Sequence, residues 1–465
     1  MAADAICLEP AARLAELIRD REISSRELLD LYLRRIDRIN PALNAVVTTD
    51  VDRARQDALR ADQATAAGKA TGPLHGLPVT IKDAIEVAGL RSTGGAVALQ
   101  DHVPTADAPA VTRLRRAGAV VFGKTNVPAW SGDIQTFNPI FGITNNPWDL
   151  SLTPGGSSGG PAAAVATGLT SFEVGTDIGG SIRIPSSFTG VCGHKPSYGV
   201  VSQRGYLDSV DGGVTNADIN VFGPIARTVG DLDLLMDVLA GPDHADAVAW
   251  SLRLPPPRHS VLADYRIGTW LDDPACPVEA AAGELMQAAA SALRDAGAQV
   301  FDARPPLELD AMRNLFSSLI LPAISVSLRP ETGEVLAGNH RRWLGLDRER
   351  AAVRQVWADW FRDFDVLLCP VVPMLPFPHD VEGPVSDRWV LVNGRSRPQA
   401  ECLAWTGLVG VAYLPATVVP VGRVGNLPVG LQLVGPYLED RTTLFAAGQL
   451  HRILGGYRPP PLAVA

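Results

Sequence analysis

Lysine is the scarcest charge in this chain. Of its 41 lysine and arginine residues only Lys69, Lys82, Lys124 and Lys195 are lysines, and all four precede residue 200. Arginine does not lose its proton, whereas a buried lysine can, so the deprotonatable amines are confined to one region. Cysteine is also sparse: Cys7, Cys192, Cys276, Cys369 and Cys402 form an odd set without CxxC spacing. That pattern excludes a disulfide framework and fits reduced thiols. The eight histidines never pair at ligand spacing, so no zinc pattern exists, and neither a metal nor a cofactor is expected. A net charge of −9 argues against direct nucleic-acid binding, for which a basic face would be expected, although contact through a partner stays open. The longest apolar runs, 315–328 and 408–421, are broken by Pro or Ser and fall short of a bilayer span. The first ten residues carry acids early and no apolar stretch of a signal peptide. The expectation is a cytoplasmic protein that crosses no membrane.

What is present suggests one interwoven α/β domain spanning 1–465. The chain is 46% hydrophobic, enough to bury one large core, and has no internal repeat. Helical periodicity over 9–20, 24–39 and 54–67 makes 1–69 a helical cover without chemistry. The second helix opens on the capping-box spacing Ser24 to Glu27, carries Leu28, Tyr32, Ile36 and Ile39 on one stripe, and should end at Asn40-Pro41. From Leu77 strands and helices alternate: a strand at 78–81 running into Lys82, a helix at 109–117, a strand at 119–122. This alternation predicts a mostly parallel or mixed twisted sheet covered by helices on both faces. A long polar loop, 130–148, leads into a small-residue helix at 161–169 and a buried strand at 172–175. Beyond residue 199 the pattern weakens. Helices are expected at 229–239, 278–296 and 441–454, and strands at 267–271, 299–301, 365–368, 417–421 and 431–434. The passage 251–262 reads as a linker, 312–328 as an apolar helix or lid within a variable segment 251–360, and 459–465 as a loose tail.

The densest stretch runs from Thr153 to Arg183: T-P-G-G-S-S-G-G, small and apolar residues, then G-T-D-I-G-G-S-I-R. Its glycine-wrapped serines, Ser157 and Ser181, stand 24 positions apart. Glycines beside a serine let the backbone turn sharply and a reacting group come close, and successive N–H groups in such a loop can face one anion. A serine needs a base. One route uses histidine: Gly155 to Gly159 satisfies G-x-S-x-G, which would make Ser157 an esterase nucleophile served by His379 or His451. The other uses a lysine that desolvation keeps neutral, with Ser157 relaying a proton between Lys82 and Ser181 and the N–H groups of 178–181 holding the oxyanion. No S-x-x-K occurs, which removes the β-lactamase arrangement.

P-G-G-S-S-G-G (154–160), G-T-D-I-G-G-S-I-R-I-P (175–185) and G-L-P-V-T-I-K-D (76–83), with the spacing of the two serines, resemble the amidase signature family of serine hydrolases. G-K-T-N-V-P (123–128), N-N-P-W-D (145–149), G-H-K-P-S-Y-G (193–199) and L-P-V-G-L-Q-L-V-G (427–435) extend the resemblance over most of the chain, most densely from 70 to 205. It implies Lys82 as base, Ser157 as a relay held by a cis peptide bond, and Ser181 as the acylated nucleophile. The oxyanion hole would be Ile178, Gly179, Gly180 and Ser181. Ser158, Thr176, Asp177 and Arg183 would support the site. The loop W-S-G-D-I-Q, with Trp130, Ser131, Asp133 and Gln135, would face the substrate. Lys124 and Lys195 would be structural or anion-stabilising. The implied activity is hydrolysis of a small-molecule carboxamide through a serine acyl-enzyme, leaning toward hydrophobic or aromatic amides, with anilides, esters and carbamates open. Three alternatives stand: a glutamine-dependent amidotransferase of the A type working with a partner, the Ser157 esterase, and a non-catalytic anion-binding module. Monomer and homodimer are both compatible.

Overall fold

A computed structural model describes residues 5–243, 245–328 and 330–464. The first four residues of the segment read as lacking a signal peptide, and Ala465 of the tail, lie outside the described residues. Three strands, β1 (Val46–Thr49), β2 (Pro78–Lys82) and β3 (Val120–Thr125), form a small sheet in the order β1-β3-β2. The long loop after it contains a short hairpin, β4 (Phe137–Asn138) and β5 (Gly142–Ile143). The large sheet takes β6 (Glu173–Asp177), β7 (Cys192–Lys195), β8 (Val221–Ala226), β9 (Arg266–Thr269), β10 (Gln299–Phe301) and β11 (Val366–Pro370). After a second hairpin, β12 (Trp389–Val392) with β13 (Arg395–Pro398), it is completed by β14 (Ala416–Val424) and β15 (Leu427–Val434). Its order is β10-β9-β11-β15-β14-β7-β8-β6, parallel among β10, β9 and β11 and antiparallel across the rest. Helices Ala280–Asp295 and Asp440–Ile453 pack on β14, and Arg183–Thr189 packs on β14 and β15. The fold is therefore α/β with a large mixed sheet flanked by helices.

Beside the expected large mixed sheet stands a separate three-stranded one, and that division matters for the site. β2 is an outer strand of the small sheet and β6 an outer strand of the large one. They meet without a ladder. Thr80 donates its N–H to Thr170 Oγ1 (3.0 Å) and its hydroxyl to Glu173 Oε1 (2.5 Å), while Ser171 Oγ donates to Pro78 O (3.0 Å). Every residue of β2 and β6 is buried, so this polar seam satisfies groups that a ladder would otherwise take.

Three other expectations need correction. The second helix does not stop at Asn40-Pro41 but runs Ser25–Leu43. Pro41 falls in its last turns, and the chain leaves the helix at Asn44, whose φ of 54° is left-handed. The Asn40 side chain accepts from the N–H groups of Ala45 and Val46, which turns the chain into β1. The tail is not loose: Pro461–Val464 is a short helix, Ala463 is 2% exposed, and its carbonyl accepts from the buried Arg35 at 2.9 Å. The passage 251–262 lacks regular structure until the 3-10 turn at Leu262–Asp264, yet Arg258 ties it to Glu439 (2.8 Å) and to Phe361 O (2.6 Å). Helix His340–Trp360 was not expected at all. Among the described residues no helix is long and apolar enough to cross a membrane.

Candidate active site

β2 delivers Lys82 into a fully buried position. Nζ lies 2.7 Å from Ser157 Oγ, 3.0 Å from Ser158 Oγ and 2.7 Å from Thr176 Oγ1. Burial drives its proton affinity well below that of an ordinary lysine, against the pull of the Asp177 and Glu173 carboxylates. As an ammonium the group can donate to all three hydroxyls, and once neutral it donates to two and accepts from the third.

Ser157 follows a cis peptide bond from Gly156, and the helix Gly159–Ala166 starts two residues later. That helix is wholly buried, and its small residues are required: a Cβ on Gly160 would stand 2.4 Å from the Asn126 backbone. Ser158 N donates to Ser181 O at 3.1 Å, which makes the two serine loops neighbours. Lys82, Ser157 and Ser158 are fully buried, and Ser181, at 7% exposure, is the least enclosed of the four. Among the described residues no hydrogen bond joins the Ser157 and Ser181 hydroxyls.

The loop after β6 is held by Asp177. Its Oδ1 accepts from Gly180 N (2.9 Å) and Arg183 Nη2 (2.9 Å), and its Oδ2 from Ile182 N (3.1 Å), Arg183 N (3.3 Å) and Arg183 Nε (3.0 Å). Burial would raise this carboxyl, but the Arg183 guanidinium more than offsets it and holds it below the usual range. Gly180 has a φ of +117°, and a Cβ there would come within 2.8 Å of Ile184 and Thr406. One expected oxyanion donor is lost: the Gly180 N–H is spent on Asp177. The N–H groups of Ile178, Gly179 and Ser181 have no partner among the described residues, and they are what remains for an anion.

The expected substrate loop splits. Trp130 (φ 54°) and Ser131 (φ 56°) are consecutive left-handed non-glycine residues, a costly backbone of the kind that clusters at functional sites. Asp133 and Gln135 instead clamp structure. Asp133 forms a buried ion pair with Arg388, and Gln135 exchanges two hydrogen bonds with the backbone of Asp380, at 2.7 and 2.9 Å. Lys124 bonds Ile85 O and Ser92 Oγ (3.0 Å), and Lys195 bonds the carbonyls of Pro196 (3.0 Å) and Leu414 (2.8 Å). Both are structural. The histidine route loses its base, because Ser157 bonds to the lysine and both ring nitrogens of His379 and Nε2 of His451 have no partner. Tyr206 and Glu173 carried no sequence signal, whereas the apolar wall falls partly in the segment 312–328 singled out there. The Tyr206 phenol, pushed up to about 12 by burial, lies beside Ser131 and Thr176. Phe316, Ile320 and Leu403 form an apolar wall: a Cβ on Gly179 would meet them at 3.6, 3.6 and 3.9 Å. Glu173, fully buried behind Lys82, is pushed up to about 7 by burial against the pull of Thr80, Thr125, Val174 and Lys124. Among the described residues no cluster of three or more His, Cys, Asp or Glu is placed to hold a metal ion.

This combination of a mixed α/β sheet, a buried amine on a serine and a glycine-rich loop of open amides belongs to a hydrolase. The sequence pattern of the Amidase family matches residues 27–338 and 325–444, so the chain belongs to the amidase family, whose hydrolases act on carbon–nitrogen bonds. The chain is 32% identical to a glutamyl-tRNA(Gln) amidotransferase subunit of Roseiflexus sp. (strain RS-1), covering 97% of each protein. It is also 32% identical to an acylamidase of Rhodococcus erythropolis, covering 95% of each. A solved bacterial aryl acylamidase of the amidase signature family superposes with a TM-score of 0.83 at 29% identity, covering 96% of each chain.

Proposed function

We propose that the protein hydrolyses hydrophobic or aromatic amides through an acyl-enzyme on Ser181. Ser181 Oγ attacks the carbonyl carbon, and its proton passes through Ser157 to Lys82 Nζ. The oxyanion is met by the amides of Ile178, Gly179 and Ser181. Collapse of the adduct breaks the C–N bond as the proton returns through Ser157 to the leaving nitrogen. Water then repeats the sequence on the ester and releases the acid. The observation that carries this reading is the buried Lys82 amine 2.7 Å from the Ser157 hydroxyl. The Ser157-to-Ser181 contact forms when substrate turns the Ser181 hydroxyl inward, since catalytic hydrogen bonds commonly tighten only in the complex. The wall of Phe316, Ile320 and Leu403 beside Gly179 favours an apolar acyl or amine group, and Trp130 adds a half-buried ring on the neighbouring loop. Within one domain, 70–205 supplies the chemistry, and the variable segment 251–360 supplies Phe316 and Ile320.

The test is a panel of anilides, primary amides, esters and carbamates, with a fluorophosphonate probe to locate the reactive serine. The expected label is on Ser181. Lys82→Ala, Ser157→Ala and Ser181→Ala should each nearly abolish turnover. Undiminished hydrolysis by Ser181→Ala, or a label on Ser157, overturns the assignment. A second reading, that the chain serves an amidotransferase, draws on the likeness to the glutamyl-tRNA(Gln) amidotransferase of Roseiflexus. Release of ammonia from glutamine together with a copurifying partner would favour it; hydrolysis of anilides by the isolated chain favours the first.

A further inference from the structure

Glu173 opens β6 with no exposure to solvent. Its Oε1 accepts from the hydroxyls of Thr80 (2.5 Å) and Thr125 (2.9 Å), and its Oε2 from the Val174 N–H (3.2 Å). Those two threonines are the neighbours of Lys82 in the small sheet. Thr80 precedes Lys82 by two positions and so shares its face of β2, and Thr125 is its register partner on β3. The carboxylate therefore accepts three bonds beside the strand that carries the amine, yet none of its partners is a cation. A glutamine here would avoid burying a charge and keep one oxygen for the two hydroxyls, losing only the longer Val174 N–H contact.

The surrounding charges give it a task. Lys82 is faced from β6 by Asp177 and Glu173, and Glu173 is faced by Lys124 from β3. Asp177 is neutralised by its own pair with Arg183 at 2.9 Å. The Lys124 amine is directed at Ile85 O and Ser92 Oγ and faces Asp83, Glu86 and Asp107 as well. Glu173 is thus the carboxylate near Lys82 that no arginine cancels. We propose that Glu173 is a positioning residue for the Lys82 amine, supplying in its ionised form the negative charge opposite which that amine takes up the Ser157 proton and returns it. A dry pocket alone would leave the amine too weak a base, and the buried anion restores basicity just as the ammonium forms.

The inference rests on the Lys82 reading above, and its test separates the two. The rate of fluorophosphonate labelling and kcat/KM on the best panel substrate are measured from acid to alkaline pH for wild type, Glu173→Gln, Thr125→Val and Lys82→Met. Glutamine keeps one acceptor oxygen for the two threonine hydroxyls and removes the charge, so the acid limb should move down by about one pH unit and the plateau fall by about tenfold, with KM unchanged. Thr125→Val weakens the charge by removing one hydroxyl and should shift the limb the same way by less; it also provides the readout if Glu173→Gln does not fold. A wild-type profile in Glu173→Gln, or in Thr125→Val where the first variant is not obtained, overturns the proposal while leaving Lys82 in place. Wild-type labelling of Lys82→Met overturns the underlying reading.

Discussion

Replacing Asp177 by asparagine should break the loop that carries Ser181, and the size of the effect can be worked out. Five N–H bonds converge on the two carboxylate oxygens, from Gly180, Ile182, Arg183 N, Nε and Nη2. Asparagine presents one oxygen and turns an NH2 toward donors that need an acceptor. Arg183, fully buried, is left with only the Thr406 carbonyl (3.0 Å) and Gln432 Oε1 (3.1 Å) to meet its charge. Removing one partner of such a pair costs about 3–5 kcal/mol. For 465 residues the unfolding entropy is about 1 kcal/mol/K, so Tm should fall by about 3–5 °C. The nine tryptophans make intrinsic fluorescence a suitable probe for the melt. The double variant Asp177→Asn with Arg183→Met removes the orphaned charge and should recover at least about 1 kcal/mol. The deficit also depends on pH in a fixed direction. The folded-state carboxyl lies below its ordinary value, so its stabilisation is complete above the unfolded value of about 4 and disappears as pH falls through the folded one. The variant should therefore approach wild type in acid. A Tm loss under about 1 °C, or strict additivity in the double variant, would refute this account of the loop.

Further expectations follow from the same geometry. Burial drives the Lys82 proton affinity down, so activity should fall on the acid side as the amine becomes protonated, and a flat pH profile would contradict a lysine base. Lys82→Arg, which keeps its proton, should be inactive at every pH, and measurable turnover on the alkaline side would contradict a base at this position. Ile320→Ala removes apolar surface beside Gly179 and should raise KM for hydrophobic anilides by about tenfold with little change in kcat, while small primary amides are unaffected. Deleting 459–465 leaves the buried Arg35 without the Ala463 carbonyl, and urea unfolding should register a loss of about 1–3 kcal/mol; an unchanged midpoint would restore the loose tail.

The sequence was most legible where local rules decide. The Ser24–Glu27 capping box forms as read, and the helix Val229–Leu239 and strand Gln299–Phe301 have the expected bounds. The strands β7 and β8 were not read, for a physical reason. C-G-H-K and V-F-G-P-I-A carry glycine, proline and histidine, poor strand formers that are strands here because neighbours in the large sheet take their backbone groups. Helix His340–Trp360 was hidden by its charge, although its buried Arg350, Val353, Trp357 and Trp360 fall at helical spacing. In the site, the serines and lysine were legible as a spaced pattern of residue types. The destination of a side chain was not. Asp133 read as a substrate contact because nothing local reveals that Arg388 lies 255 positions away in the chain and beside it in space. The Gly180 N–H was likewise assigned to the substrate because a motif names donors without saying which are already taken.

The division into two sheets was the feature least available to sequence, and it accounts for the chemistry placed there. Had β2 continued the ladder onto β6, their backbone groups would have satisfied each other, and no hydroxyls would have been needed between them. Instead the junction is filled by Thr80, Thr125, Thr170 and Ser171, and it continues along β6 to Thr176, with Ser158 joining from the start of the helix Gly159–Ala166 around the lysine. A seam of hydroxyls is a poor way to join two sheets, since each side chain it orders loses rotamer freedom that a backbone ladder would not demand. It does keep an amine dry while surrounding it with groups that both donate and accept. Apolar side chains there would leave the amine unsatisfied, and carboxylates in direct contact would keep it charged. In the proposed mechanism, hydroxyls around the amine with one carboxylate set behind them leave the proton free to move.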